Sequence, residues 1–410
     1  MLETIGQNGL STGDGAGRRR ILVFAAYYLP GYKSGGPIRS IANMVSFLSP
    51  YFDFYVVTRD RDATDAKTYP GVTPGVWCRV GSARVLYCSA VRTAIIRKAH
   101  REVRPDLILL NSFQDKFALI AMYLRRVGLF AGIPLLLAPR GEFSPGAMEI
   151  KGIKKRIYRQ VARMIGLHQD LLWQATADRE KEEILAAAPV CQLAPDSIFV
   201  AQNITGGPGL KAPHPLERPG LIKLVFISRI SETKDLHFVL ELLGHIQGKL
   251  RFDIFGPVAE TDLAYWEKCK TLLTKLPDNI EAEYCGSLDH SKVHLVLQDH
   301  HFFVLPTRGE NYCHAAVESF INGTPVILSD ETPWTNLTEA RAGFDIPLND
   351  REGWIAAIQK CVGMDQQTYA SFLDGAQEYS RRFSIEDAVE QHLEMFEAAM
   401  ATRSTGHRKH

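Results

Sequence analysis

Residues 301–328 read HFFVLPTRGENYCHAAVESFINGTPVIL, and this stretch decides the fold class. The apolar run His301 to Leu305, closed by Pro306, predicts a buried strand. Ala315 to Asn322 predicts a short helix that stops at Gly323, where a left-handed cap has no steric cost. Thr324 to Leu328 then opens a second strand. Strand, loop, helix and strand in this order form a βαβ unit, and they carry two carboxylates eight positions apart, Glu310 on the loop and Glu318 on the helix. In a parallel α/β sheet ligands gather outside the carboxyl ends of the strands, so both are expected to face one crevice. The helix start adds free N–H groups, which suit an anion such as phosphate.

The rest of the 410 residues fits an enzyme of two or three domains, with 46% hydrophobic and 23% charged residues. No apolar run reaches the roughly eighteen residues that span a bilayer, and the N-terminus lacks the order of a secretory signal, so a cytoplasmic protein is expected. The seven cysteines are scattered without a C-x2-C spacing, which argues against a disulfide frame or a structural zinc site. Charge is divided by half: Lys+Arg 27 against Asp+Glu 17 through residue 205, then 20 against 29, giving +10 and −9. Such asymmetry suits a first half that faces something anionic, a phospholipid surface or a pyrophosphate-linked substrate. No nucleic-acid module is evident, and nucleic acid is not an expected partner.

Residues 1–20 read as a disordered lead-in. Ile21 to Ala25 is a strand, followed by a Gly-rich loop and a helix from about Ile38, which opens a Rossmann-like domain. Gly35 and Gly36 in that loop either let a backbone pass close to a ligand or make a plain turn. Further strands are expected at Phe52–Thr58, Asp106–Asn111 and Ile133–Ala138, the last leading into Pro139-Arg140-Gly141-Glu142. Residues 151–165 have apolar positions at helical spacing and a basic back. They read either as an interfacial helix on an anionic membrane or as a domain helix with a solvated face. Residues 205–220 hold four Gly and four Pro and read as an interdomain linker. Beyond it, Leu224 to Ser228 is a strand that ends at Arg229, with Lys234 at a helix start. Strands follow at Leu250–Phe255 and Ile280–Tyr284, ending near Gly256 and Gly286. Asp299-His300-His301 enters a strand without a third ligand, so core histidines are the simpler reading.

Glu-x7-Glu between a buried strand and a Gly-Thr-Pro-Val strand entry resembles the family 4 glycosyltransferases, retaining enzymes of glycosyl transferases group 1. The likeness runs over nearly the whole chain and is strongest in the second half. It implies an α/β GT-B fold, two Rossmann-like domains with a cleft between them. Their expected bounds are 21–205 for an acceptor-binding domain and 206–385 for a nucleotide-sugar-binding domain, with 386–402 a C-terminal helix expected to cross back to the first. By resemblance Glu310 approaches the donor sugar's hydroxyls, Glu318 holds the ribose diol, and Arg229 and Lys234 clamp the diphosphate. Carboxylates accept two hydroxyl hydrogen bonds each, and cations answer the charge that grows on a leaving diphosphate. Gly256 and Gly286 would bracket the nucleotide base, and Asn311, Tyr312, Cys313 and His314 would cradle phosphate. Gly35 and Gly36 would lie at the cleft.

The sequence also departs from the pattern. Many members carry a His where Arg140 stands, so no catalytic His is carried over. Arg140 offers a guanidinium to a phosphate or carboxylate of donor or acceptor, and Glu142 is a salt-bridge partner or an acceptor-site base. Asn311 and Cys313 stand where glycines are common, and Cys enters a left-handed conformation less readily than Asn. Asp60-Arg61-Asp62 resembles the metal signature of the other large glycosyltransferase fold, but that architecture would leave Glu310 unexplained. The resemblance implies transfer of a hexose from a nucleotide diphospho-sugar to a saccharide or lipid-linked acceptor, with no metal and no cofactor. It suggests cell-surface polysaccharide, lipopolysaccharide or glycolipid synthesis at the inner face of the membrane. The alternatives are a nucleotide-sugar epimerase or hydrolase on the same fold, or a non-catalytic partner subunit.

Overall fold

The computed structural model describes residues 3–4, 17–63, 65–143, 162–187, 193–206 and 221–405. The chain divides into two compact units, Met1–Ile204 with Ile385–His410, and Thr205–Ser384.

The strands of the first unit are β1 (Glu3–Thr4), β2 (Arg19–Ala25), β3 (Phe52–Arg59), β4 (Trp77–Val80), β5 (Ala83–Cys88), β6 (Leu107–Asn111), β7 (Leu135–Ala138), β8 (Leu172–Ala175) and β9 (Ile198–Val200). They form one sheet in the order β1-β4-β5-β3-β2-β6-β7-β8-β9. From β5 to β9 every pairing is parallel. The helices are α1 (Gly36–Leu48), α2 (Thr93–Val103), α3 (Lys116–Arg126) and α4 (Asp178–Ala186). Both faces of the sheet are covered, which is why its strands read as continuous apolar runs. Along β2, Leu22 and Phe24 enter one core while Ile21, Val23 and Ala25 enter another. Each of these side chains larger than alanine contributes roughly 1.5–3 kcal/mol of apolar burial.

The second unit has β10 (Leu221–Ile227), β11 (Lys249–Phe255), β12 (Ile280–Gly286), β13 (Phe302–Leu305), β14 (Val326–Ser329) and β15 (Gly343–Ile346), in the order β12-β11-β10-β13-β14-β15. All pairings are parallel. Its helices are α5 (Leu236–Leu243), α6 (Leu263–Leu273), α7 (Val293–Gln298), α8 (His314–Ile321), α9 (Arg351–Val362) and α10 (Gln366–Ser380). Counted within the unit, the strand order is 3-2-1-4-5-6, the dinucleotide-fold order, whose switch point lies between β10 and β13. The last helix, α11 (Ile385–Thr405), returns to the first unit, where Met395, Phe396, Ala399 and Met400 are buried. The Phe396 ring meets Phe52 edge-on at 5.5 Å.

The N-terminal segment differs from the expected lead-in. Arg19 and Arg20 open β2, and Glu3–Thr4 pair antiparallel with β4. The cause is a long-range anchor invisible locally: Asp106 Oδ2 accepts the Arg20 N–H at 2.9 Å, and Arg20 Nη1 donates to Val103 O at 3.0 Å. The linker from 207 onward and the basic helix through residue 161 lie outside the described residues; Ala162 to Met164 is helical. Among the described residues no helix is long and apolar enough to cross a membrane. Among the described cysteines, only Cys285 is exposed.

Candidate active site

A parallel sheet sends every strand's carboxyl end to the same edge. In the second unit that edge receives Arg229 after β10, Gly256 after β11, Gly286 on β12, Glu310 after β13 and Glu331 after β14. The loops after β10 and β13 flank the switch point, and they are stitched together. Arg308 N–H donates to Thr233 O at 2.8 Å, and Thr307 Oγ1 donates to the same carbonyl at 3.2 Å. Thr307 is buried, and Ser329 Oγ donates to its carbonyl oxygen. On the other side Glu310 N–H donates to Glu331 O at 3.0 Å.

This stitching brings Lys234 and Glu310, 76 positions apart, into contact: Lys234 Nζ donates to Glu310 Oε1 at 2.6 Å. The lysine side chain is 10% exposed and the glutamate 20%, so the pair is shielded but reachable. Lys234 ends a short turn, Glu232–Lys234, whose last amide donates to Ser231 O. Asp235 then takes φ 52, and its buried carboxylate accepts Arg308 Nε at 2.7 Å and meets His237 Nδ1 at 2.9 Å. Arg229 is exposed, and among the described residues its side chain has no hydrogen bond or ion pair, which leaves its charge available to a ligand.

Helix α8 begins at His314 behind a left-handed Cys313, φ 59 and ψ 67. The sequence-based concern about this position is met by the cysteine adopting the strained conformation, buried, with its thiol pushed well up by burial. Non-glycine residues in this region concentrate at functional sites. Tyr312 turns its ring inward against Trp334 at 5.3 Å, and its hydroxyl accepts from Thr205 Oγ1 at 3.3 Å. What it can present outward is backbone. Glu318 lies one turn into α8, 6% exposed, with Oε1 3.9 Å from His290 Nδ1.

Gly256 is required by its own neighbouring strand. A Cβ there would lie 1.7 Å from Ser228 O, so the glycine admits the adjoining backbone at φ 151. Gly286 has φ 81 with nothing within 4 Å of an added Cβ.

The remaining candidates belong to the first unit. Gly35, φ 65, caps α1 and Gly36 is its first residue. Asp62 Oδ2 accepts the Tyr32 and Lys33 amides at 2.7 and 3.0 Å, and Asp60 accepts Arg61 Nε at 2.9 Å and Ser89 Oγ at 2.6 Å. Both carboxylates of the Asp-Arg-Asp motif therefore hold loops. Glu142 does not pair with Arg140, which corrects one of its two expected roles. It accepts from Ser112 Oγ and from the amides of Phe113 and Gln114, because the chain after β6 turns back over it. Burial pushes its carboxyl up against those bonds. Arg140 instead donates Nε to Asn111 Oδ1 and Nη1 to Asn203 Oδ1, both at 2.8 Å.

Among the described residues Asp253, Glu283 and Cys285 bring ligand atoms within 4.8 Å of one another. Arg251 already fills that cluster, its Nε at 2.9 and 3.2 Å from the two Asp253 oxygens. His300 Nε2 also meets Asp253 at 3.0 Å, and His301 Nδ1 accepts the Lys223 amide at 2.8 Å, so both histidines are structural.

Sequence reasoning missed Asp235, Thr233 and Arg308. Their signal was adjacency alone, one or two positions from Lys234 and Glu310.

Residues 213–372 match the family model described as glycosyl transferases group 1, within the second unit. No curated protein matches the sequence. Solved structures do. HepE of Anabaena, in complex with UDP and glucose, superposes with a TM-score of 0.68 at 15% identity, covering 93% of this chain and 100% of its own. Sucrose-phosphate synthase from Thermosynechococcus elongatus gives 0.70 at 15% identity, covering 94% and 100%. WaaG, a glycosyltransferase involved in lipopolysaccharide biosynthesis, gives 0.63 at 11% identity, covering 91% and 98%. The chain has the GT-B fold, and its second unit carries a group 1 glycosyltransferase domain.

Proposed function

We propose that the chain is a retaining, metal-independent glycosyltransferase of family 4. It moves a hexose from a nucleotide diphospho-sugar to a hydroxyl of a saccharide or lipid-linked acceptor, in cell-surface polysaccharide or glycolipid synthesis. The observation that carries this reading is the Lys234–Glu310 pair at the switch point of a group 1 domain. Lys234 and the uncommitted Arg229 receive the diphosphate, whose negative charge grows as the glycosidic bond breaks. A diphosphate is a stronger partner for Lys234 than one carboxylate, so its arrival releases Glu310 Oε1 to accept hydroxyls of the sugar. The start of α8 offers amides to phosphate, and Glu318 accepts the ribose diol. The sugar leaves as an oxocarbenium-like species, and the acceptor hydroxyl attacks from the face that the diphosphate has left. The leaving phosphate takes the proton, with no covalent enzyme intermediate. The two cations perform the neutralisation that a metal would otherwise supply.

The first unit takes the acceptor, with Gly35 and Gly36 allowing close backbone approach. Its excess of positive charge supports attachment to the inner face of an anionic membrane. Tyr123, Val127, Met164 and Ile165 are exposed. Arg125 ties the end of α3 to the carbonyls of Gln169 and Asp170 at 2.7 and 2.9 Å.

A thermal-shift screen against UDP-, GDP- and ADP-sugars in EDTA tests the donor reading, since a ligand bound only by the folded state raises the melting temperature. UDP-glucose is the first to try, because HepE has been solved with it. A shift with one nucleotide series, and transfer with retained anomeric configuration, is expected. No shift with any series, or transfer abolished by EDTA, contradicts it.

A further inference from the structure

Asn111 ends β6, Arg140 follows β7 and Asn203 follows β9, so the parallel sheet of the first unit delivers all three to its carboxyl edge. Arg140 is held at two of its three nitrogens, by Asn111 Oδ1 and Asn203 Oδ1, each at 2.8 Å. Both asparagines are 5% exposed. Their amide oxygens fix the direction of the guanidinium without neutralising it. Among the described residues no carboxylate forms an ion pair with it. Glu142 is committed to the loop after β6, and Glu180 accepts Gly141 N–H and Thr176 N–H, each at 2.7 Å, and Thr176 Oγ1 at 2.8 Å. Among the described residues Nη2 has no acceptor, and the residue is partly exposed. Burial pulls the guanidinium pKa down to about 10, opposed by the more distant charge of Glu180. A cation set into protein without an opposite charge is costly, and a bound anion removes that cost. The backbone around it is strained, with Ser112 at φ 93 and Arg140 at φ 56. Such outliers persist where a site over-determines them.

We propose that Arg140 is an oxyanion receptor, binding the carboxylate or phosphate of an acidic acceptor saccharide. The word acceptor rests on the glycosyltransferase reading above, whereas the anion site does not. A planar fork with one open edge suits a carboxylate or phosphate oxygen pair, and it selects an acidic sugar over a neutral one.

Isothermal titration of the full chain tests this, with glucuronic acid, glucose 6-phosphate, glucose and UDP as probes on wild type, R140Q and R140K. The wild type is expected to bind the two acidic sugars at least tenfold more tightly than glucose. R140Q loses that margin, R140K keeps only part of it, and UDP affinity is the same in all three. Equal affinity for glucose and the acidic sugars overturns the proposal. So does an acidic-sugar margin that survives in R140Q, or that is undiminished in R140K if R140Q does not fold; Arg140 is then only a tie between strand ends. Loss of UDP binding with the acidic sugars unaffected assigns the anion to the donor and also overturns it. UDP that binds no form of the protein contradicts the donor reading instead and leaves the sugar comparison intact.

Discussion

Two glycines at strand ends respond differently to an added methyl group. At Gly256 it would sit 1.7 Å from Ser228 O, whereas at Gly286, φ 81, it would meet nothing within 4 Å. Gly256→Ala is therefore expected to cost about 3 kcal/mol or more, combining an unfavourable φ with backbone overlap. Gly286→Ala should cost about 1–2 kcal/mol from left-handed strain alone. Urea denaturation of the two variants checks this, and the reverse order would contradict it. The sequence made both glycines visible but not their difference, since what faces a glycine is a property of the neighbouring strand. The same holds for charge. Glu310 and Lys234 were legible through the family resemblance, each in the loop region after an apolar strand, yet their contact depends on Thr233 and Arg308, whose bonds cross from one loop to another. Pairing with Arg140 was one of two readings open for Glu142, because two opposite charges two positions apart invite it; the glutamate instead accepts from Ser112, Phe113 and Gln114. Arg140, with Gly141 also at positive φ, bonds Asn111 and Asn203 instead.

At the scale of elements, strands and helices of the second unit followed from period and punctuation, as at His301–Pro306 and Gly323. The start of β2 did not, because Arg19 and Arg20 carry no apolar alternation and are held by Asp106. Helix α11 carries a titratable group into the core of the first unit. His392 is 2% exposed, 3.3 Å from Gln174 Nε2, with Nδ1 2.8 Å from Ala388 O. Burial, with a smaller push from Arg140, lowers its pKa to about 4. Between that value and its ordinary 6.5, the unfolded chain binds a proton that the folded chain does not, so stability rises with pH in this window. Lowering pH from 7 to 4 is expected to remove on the order of 3 kcal/mol through His392. Denaturation of wild type and His392→Gln at both pH values measures it. The variant should show a flatter dependence, and an equal slope would contradict the assignment.

For the molecule as a whole, the +10 and −9 halves were readable directly from the sequence. The return of the last helix was expected from the family resemblance and not from local pattern, since the contacts that hold α11 to the first unit, such as Phe396 on Phe52, are long-range. If the positive half meets an anionic membrane, the protein should co-sediment with phosphatidylglycerol vesicles at low salt and be released near 1 M NaCl, where the screening length falls to about 3 Å. Equal binding to neutral phosphatidylcholine vesicles would contradict the electrostatic account. The central claim concerns the pair at the switch point, and transfer by Glu310→Gln tests it most directly. The fold is monitored by circular dichroism, and donor binding by titration with the nucleoside diphosphate found in the thermal-shift screen. The account predicts a folded variant that still binds the nucleoside diphosphate, with transfer reduced on the order of a hundredfold or more. A folded Glu310→Gln enzyme that transfers sugar at the wild-type rate would contradict it.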